Sequence, residues 1–88
     1  MTDLTIVDVW AEWCAPCKKF GPIFEVVSAK HPDVKFLKIN ADENMEFLNK
    51  FGIRGIPTIL VLKDGVEVYR HAGILSESNL EQLISNYY

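Results

Sequence analysis

The chain has 88 residues, 49% apolar and 24% charged, and carries a formal net charge of -3 at pH 7. That length predicts one domain over residues 1–88, and the apolar share is enough for a packed core, which argues against disorder. The Lys and Arg side chains are scattered rather than gathered into a stripe, so no nucleic-acid partner is expected; nor is a membrane partner, because no apolar run approaches the roughly 20 residues that span a bilayer. Met1-Thr2-Asp3-Leu4 opens no basic segment followed by an apolar run and a cleavage site, so the expected location is cytoplasmic. Two cysteines, Cys14 and Cys17, are too few for a stapled secreted scaffold.

Leu4-Thr5-Ile6-Val7-Asp8-Val9-Trp10 is a β-branched, mostly apolar run, the pattern of a strand (A) buried on both faces. Beyond it, Phe20, Ile23, Phe24 and Val27 repeat at helical spacing and predict a helix to about Lys30. Pro16 suits its first turn, Pro22 should kink it, and His31-Pro32-Asp33 should end it. Val34 to Asn40 is strand B, parallel to A across a right-handed crossover. A short helix over about Asn44 to Lys50 follows, closed by Phe51-Gly52, and an irregular segment, Ile53 to Pro57, leads into strand C, Thr58 to Leu62. Asp64-Gly65 signals a two-residue hairpin turn, so strand D, Val66 to His71, runs antiparallel to C. Ser76 is a good N-cap for a last helix with Leu80, Leu83, Ile84 and Tyr87 on its buried face, Leu75 and Leu80 forming a staple across its start. The outline is an α/β sheet flanked by three helices.

Trp13-Cys14-Ala15-Pro16-Cys17 places two thiols where a strand becomes a helix. The unpaired N–H groups and partial positive charge of a helix start favour thiolate over thiol, so Cys14 is expected to be the attacking sulfur, more acidic than a free cysteine at about 8.5. Cys17, one turn on and sharing the stripe of Phe20, Phe24 and Val27, is expected to be the more buried and to resolve the mixed disulfide. A structural disulfide and a zinc half-site compete with this reading. The first closes too short a loop to remove much chain entropy, and the second wants about four ligands, which His31 and His71 do not supply at finger spacing, so no metal and no cofactor is expected. Asp8 is the odd residue of its strand. Burying it charged costs several kcal/mol, so its pKa should rise, unless it faces solvent; alternation sets it on one face with Ile6 and Trp10.

The segment Val7-Asp8-Val9-Trp10-Ala11-Glu12-Trp13-Cys14-Ala15-Pro16-Cys17-Lys18 resembles the active-site segment of thioredoxins almost residue for residue. Phe51-Gly52-Ile53-Arg54-Gly55-Ile56-Pro57-Thr58 is similar to that family's proline loop, and Lys63-Asp64-Gly65 with Ala72-Gly73 to its terminal hairpin. The resemblance implies a cis Ile56–Pro57 peptide packed on the disulfide, with Ile56 backbone groups pairing an extended substrate as an added strand. It places Asp8 beneath Cys17, where it would take the resolving thiol's proton through a bridging water, with Lys38 moderating its charge. Trp13, Ile56, Pro57, Gly73 and Ile74 would form an apolar rim that docks protein substrates, while Trp10 would fill core.

Two departures stand out. Ala15 occupies a position where most thioredoxins have Gly, and the family's usual first strand and first helix have no counterpart ahead of strand A. A truncated, thioredoxin-like, four-stranded mixed sheet in the order B-A-C-D is therefore expected, with strand B at an edge that Lys35 and Lys38 discourage from pairing; the chain is expected to be a monomer, with an edge-paired dimer as the alternative. The implied function is a general protein-disulfide reductase acting on disulfide-containing proteins and drawing electrons from a thioredoxin-reductase-type donor. A binding module or assembly subunit with dispensable thiols is the other class, and a cluster shared by the four cysteines of two chains a third.

Overall fold

Leu4–Trp10 forms β1, whose apolar side chains point to both faces and require cover on each. The computed structural model describes residues 3–88. After β1 come α1 (Ala15–Lys30), β2 (Lys35–Asn40), a 3-10 turn (Ala41–Glu43), α2 (Met45–Phe51), β3 (Thr58–Lys63), β4 (Val66–Ala72) and α3 (Glu77–Tyr87). The sheet order is β2-β1-β3-β4, with β1 parallel to β2 and antiparallel to β3, and β3 antiparallel to β4. This is the mixed α/β sheet expected from the sequence, β1 and β3 central and β2 and β4 at the edges.

Alternation along β1 and β3 sorts the core into two layers. Leu4, Ile6, Ile59 and Val61 pack with Phe20, Phe24 and Val27 of α1 and with Leu80, Leu83 and Ile84 of α3. Val7, Val9 and Leu60 face the other way, with Ile53 and the partly buried Phe47, Leu48 and Phe51. The second layer is thinner, because α2 buries none of its residues fully.

Local chemistry sets the ends of these elements. Asp64 and Gly65 have φ of 53° and 82°, the left-handed pair that a two-residue hairpin turn requires, and Lys63 pairs with Val66 across it. One residue later the register slips, from Leu62 opposite Glu67 to Val61 opposite Tyr69, so Val68 is the extra residue of a bulge. Ser76 accepts the N–H of Asn79 and caps α3. The 3-10 turn is unannounced by the apolar pattern; it starts where Asn40 Oδ1 accepts the Asp42 N–H at 2.9 Å. Helix α1 runs through Pro22 without interruption. The proline ring denies the Lys18 carbonyl its intrahelical donor.

The C-terminal end of α1 is tied to α3 by Lys30–Glu77 at 2.7 Å and His31–Glu81 at 2.5 Å. Exposed pairs of this kind contribute about 0 to 1 kcal/mol each, so apolar burial between the helices dominates their docking. Leu80, fully buried beneath α3, is its central contact. Leu80→Ala is expected to lower unfolding free energy by about 2 to 5 kcal/mol, read from the urea midpoint at unchanged slope, whereas Glu81→Gln lowers it by less than about 1 kcal/mol.

Candidate active site around Cys14 and Cys17

Cys14 is the N-cap of α1. Its φ and ψ of -94° and 105° are extended, and its Sγ accepts the N–H of Cys17 at 3.2 Å, as the oxygen of a capping Ser or Asp would. Pro16, between them, has no N–H to offer, so the third residue of the helix supplies the donor. The Cys14 N–H is itself held by Ala11 O at 3.2 Å, which fixes the link from β1. Cys14 and Cys17 are joined in a disulfide, their Cα atoms 5.2 Å apart. In this disulfide state a backbone donor points at the first sulfur.

The two cysteines are equally buried, each 4% exposed, which corrects the expectation that Cys17 is the more enclosed. Nor does Cys17 share the layer of Phe20, Phe24 and Val27; it packs with Val7, Val9, Ala41 and Ile53 on the α2 side. The first turn of α1 overhangs the end of β1, where the layers meet, so the helical stripe changes partners along its length.

Asp8 is fully buried rather than facing solvent. Its β2 partner in register is Lys38, and both line a cleft of about 250 Å³ with Cys17, Trp10, Gly21 and Glu25. Among the described residues no donor reaches either Asp8 oxygen, and Trp10 Nε1–H also meets no acceptor. Burial pushes the Asp8 carboxyl up to about 6, against the attraction of the Lys38 ammonium, which lowers it. Lys38 Nζ lies 5.4 Å from the centre of the Trp10 ring, within cation–π range. A Cβ at Gly21 would lie 3.8 Å from Lys38 Nζ, an ordinary van der Waals contact, so Gly21 adjoins the ammonium without being required by it. Trp10 is half-buried: it packs against the α2-side core, as expected, and also forms a wall of the cleft.

The Ile56–Pro57 peptide is cis, the geometry that the resemblance implied. Its loop is tied down on both sides: Thr58 Oγ1 donates to Gly55 O, and Gly73 N–H donates to Pro57 O at 2.8 Å. Pro57 is buried, Ile56 and Gly73 are half-buried, and Ile74 and Trp13 are 41% and 70% exposed. Trp13, Ile56 and Gly55 line a second cleft of about 340 Å³ with Met45, Leu48 and Ile53. One contact escaped the sequence reading: Trp13 Nε1–H donates to Asp42 Oδ2 at 3.0 Å, so the 3-10 turn orients the exposed indole. Asn40 ahead of Asp42, a turn-forming pair at a strand end, was the signal available for it.

The thioredoxin family model matches residues 1–86. The chain is 40% identical over 84 residues to a thioredoxin of Chlamydia muridarum, covering 96% of this chain and 82% of that one. It is 38% identical over 82 residues to a thioredoxin relative from Streptomyces coelicolor, covering 93% of this chain but spanning only 61% of the relative's length. The thioredoxin structure from Fasciola hepatica superposes with a TM-score of 0.91 at 35% identity, covering 98% of this chain and 82% of that one. With a redox-capable Cys14–Cys17 pair capping a helix beside a cis-proline loop, and with these matches across nearly its whole length, the chain belongs to the thioredoxin family of thiol-disulfide oxidoreductases.

Proposed function

We propose that the chain is a general reductant of protein disulfides, with Cys14 as nucleophile, Cys17 as resolving thiol and Asp8 as the base that serves Cys17. The observation that carries this reading is the capping bond from Cys17 N–H to Cys14 Sγ. In the reduced protein the same donor, with the helix dipole behind it, stabilises negative charge on Cys14 and lowers its pKa. The Cys14 thiolate attacks one sulfur of a substrate disulfide; that S–S bond breaks, a mixed disulfide forms, and the departing sulfur takes up a proton. Cys17 then gives its proton to Asp8 and attacks Cys14 Sγ, which releases the second substrate thiol and leaves the Cys14–Cys17 bond. Two electrons have passed to the substrate, and a dithiol donor of the thioredoxin-reductase type restores the pair. A reducing compartment such as the cytoplasm suits this direction of flow.

Asp8 is suited to its step by value and place. A carboxyl titrating at about 6 is largely ionised at neutral pH, yet basic enough to accept a thiol's proton. The cleft that Asp8 shares with Cys17 gives a bridging water room to carry that proton. Lys38 keeps the carboxylate charged without saturating it. Substrate would dock on Trp13, Ile56, Pro57, Gly73 and Ile74, pairing its backbone with that of Ile56.

Cys17→Ser is expected to accumulate a mixed disulfide through Cys14 when mixed with an oxidised protein substrate, and Cys14→Ser to form none. Mass spectrometry after acid quench reads both, and equal adducts from the two variants would reject the assigned roles. Asp8→Asn should slow resolution by about 100-fold or more with first attack nearly unchanged, seen as a transient mixed disulfide in quenched-flow samples. The same variant tests the burial of charge. Between about 3.9 for an unfolded carboxyl and about 6 in the fold, the native state holds a proton that the unfolded state releases, so wild-type stability falls as pH rises through that window. Asp8→Asn should flatten that slope and raise stability above pH 6 by up to about 3 kcal/mol, measured by urea unfolding at pH 4 and pH 7.5.

A further inference from the structure

Arg70 lies on β4, opposite Leu60 of β3, whose side chain belongs to the α2 layer. Its guanidinium reaches the end of α2: Nη2 donates to Phe51 O at 2.5 Å and Nη1 to Gly52 O at 3.4 Å. Glu67 holds the other side of the fork, taking bonds from Nε and Nη2 at 2.7 Å each. Four donated bonds thus fix a side chain that is 37% exposed.

These contacts fall on a weakly held element. Helix α2 is seven residues long, has no side-chain cap at its N-terminus and buries no residue fully. It closes on itself through Gly52, in the left-handed conformation, with Gly52 N–H on Asn49 O and Ile53 N–H on Leu48 O at 2.9 Å. The last carbonyls of a helix carry partial negative charge, and a guanidinium is the side chain best shaped to bind two of them while a carboxylate orients it. The next residues, Ile53 to Pro57, lead directly into the loop with Ile56. That loop is anchored downstream by Thr58 to Gly55 and by Gly73 to Pro57, while Arg70 anchors the helix from which it departs.

We propose that Arg70, oriented by Glu67, is a positioning residue for the substrate-pairing loop: it pins the C-terminal end of α2 to the edge strand and so sets where Ile56 meets an extended protein substrate. The proposal rests on the function proposed above. It assigns Arg70 no part in the thiol chemistry, so its effect falls on docking of a polypeptide and not on reaction with a small disulfide.

The test compares wild type, Arg70→Ala, Arg70→Lys and Glu67→Gln in two measurements. In native-state hydrogen exchange, Arg70→Ala is expected to speed exchange at the Gly52 and Ile53 amides by about 10-fold, with core amides of β1 unchanged. In steady-state reduction of insulin disulfides, KM is expected to rise about fivefold with kcat within a factor of two, and the rate with a small aromatic disulfide to stay at the wild-type value. Arg70→Lys, which cannot span both carbonyls and Glu67, should recover only part of each effect. Glu67→Gln should shift both readouts in the same direction by less, and it serves as the second variant if Arg70→Ala folds poorly. Unchanged exchange at Gly52 and Ile53, or an unchanged KM for insulin, would overturn the positioning role. A wild-type protein that fails to reduce insulin refutes the proposed function itself, and with it the substrate half of this inference, a result separable from either of those two.

Discussion

A sulfur in the place of a capping oxygen is the constraint around which the structure is arranged. For Cys14 Sγ to accept the Cys17 N–H, Cys14 must be extended while the next residue is already helical, and the chain must leave β1 on a fixed path. Ala11 meets that requirement with a buried side chain and a carbonyl on the Cys14 N–H. Pro16 meets it from the other side by removing one competing donor and fixing φ in the first turn. The helix must then stay where it starts, which explains why the larger apolar layer lies along the rest of α1, under Phe20, Phe24 and Val27 and against α3. The redox pair therefore sits at the start of a helix packed along the larger apolar layer, while the lighter α2 layer carries the neighbouring loop.

Asp8 introduces a cost into the centre of that sheet. A buried carboxyl that no donor among the described residues reaches weakens the fold whenever it is ionised, and at neutral pH it is mostly ionised. The parallel pairing of β1 and β2 limits the cost by setting Lys38 beside it, with the Trp10 ring within cation–π range of the ammonium. A fully apolar residue at position 8 would favour stability. A buried carboxyl kept against the interest of packing is consistent with the base proposed for Cys17, with burial raising its pKa and Lys38 lowering it.

How much of this was visible in the sequence follows from the range of the forces involved. The strands, the start of α1, the Asp64-Gly65 turn and the Ser76 cap are decided by neighbouring residues, and they appear where the pattern puts them. The parallel pairing of A with B and the antiparallel pairing of C with D followed from connection rules, while the full sheet order came through the family resemblance and alternation left the direction of Asp8 open. The cis state of Ile56–Pro57 came only through the family resemblance. What stayed hidden is set by residues far apart in the chain: Trp13 with Asp42 is 29 positions apart, and Arg70 with Phe51 is 19. The equal burial of the two cysteines was hidden for a related reason. Helical periodicity tells which side chains share a stripe, but not that the stripe passes from one layer to the other at the end of a strand.

The two clefts show how the proposed reaction avoids a conflict. Cys17 borders the cleft of Asp8, Trp10, Gly21 and Lys38, while Trp13, Ile56 and Met45 border the other. A polypeptide docked on Trp13 and Ile56 as proposed would occupy the second cleft and leave the carboxyl's cleft uncovered. In the proposed reaction, proton transfer from Cys17 would then proceed while the mixed disulfide is still docked, which resolution requires, since its leaving group is the docked substrate. Were Asp8 on the same side as the rim, substrate would close the route by which the base exchanges its proton with water. The division follows from the sheet: residue 8 faces the α1 layer, and the loop reaching Ile56 leaves from the α2 layer, so the proposed acid-base chemistry and recognition would approach the pair of sulfurs from opposite faces.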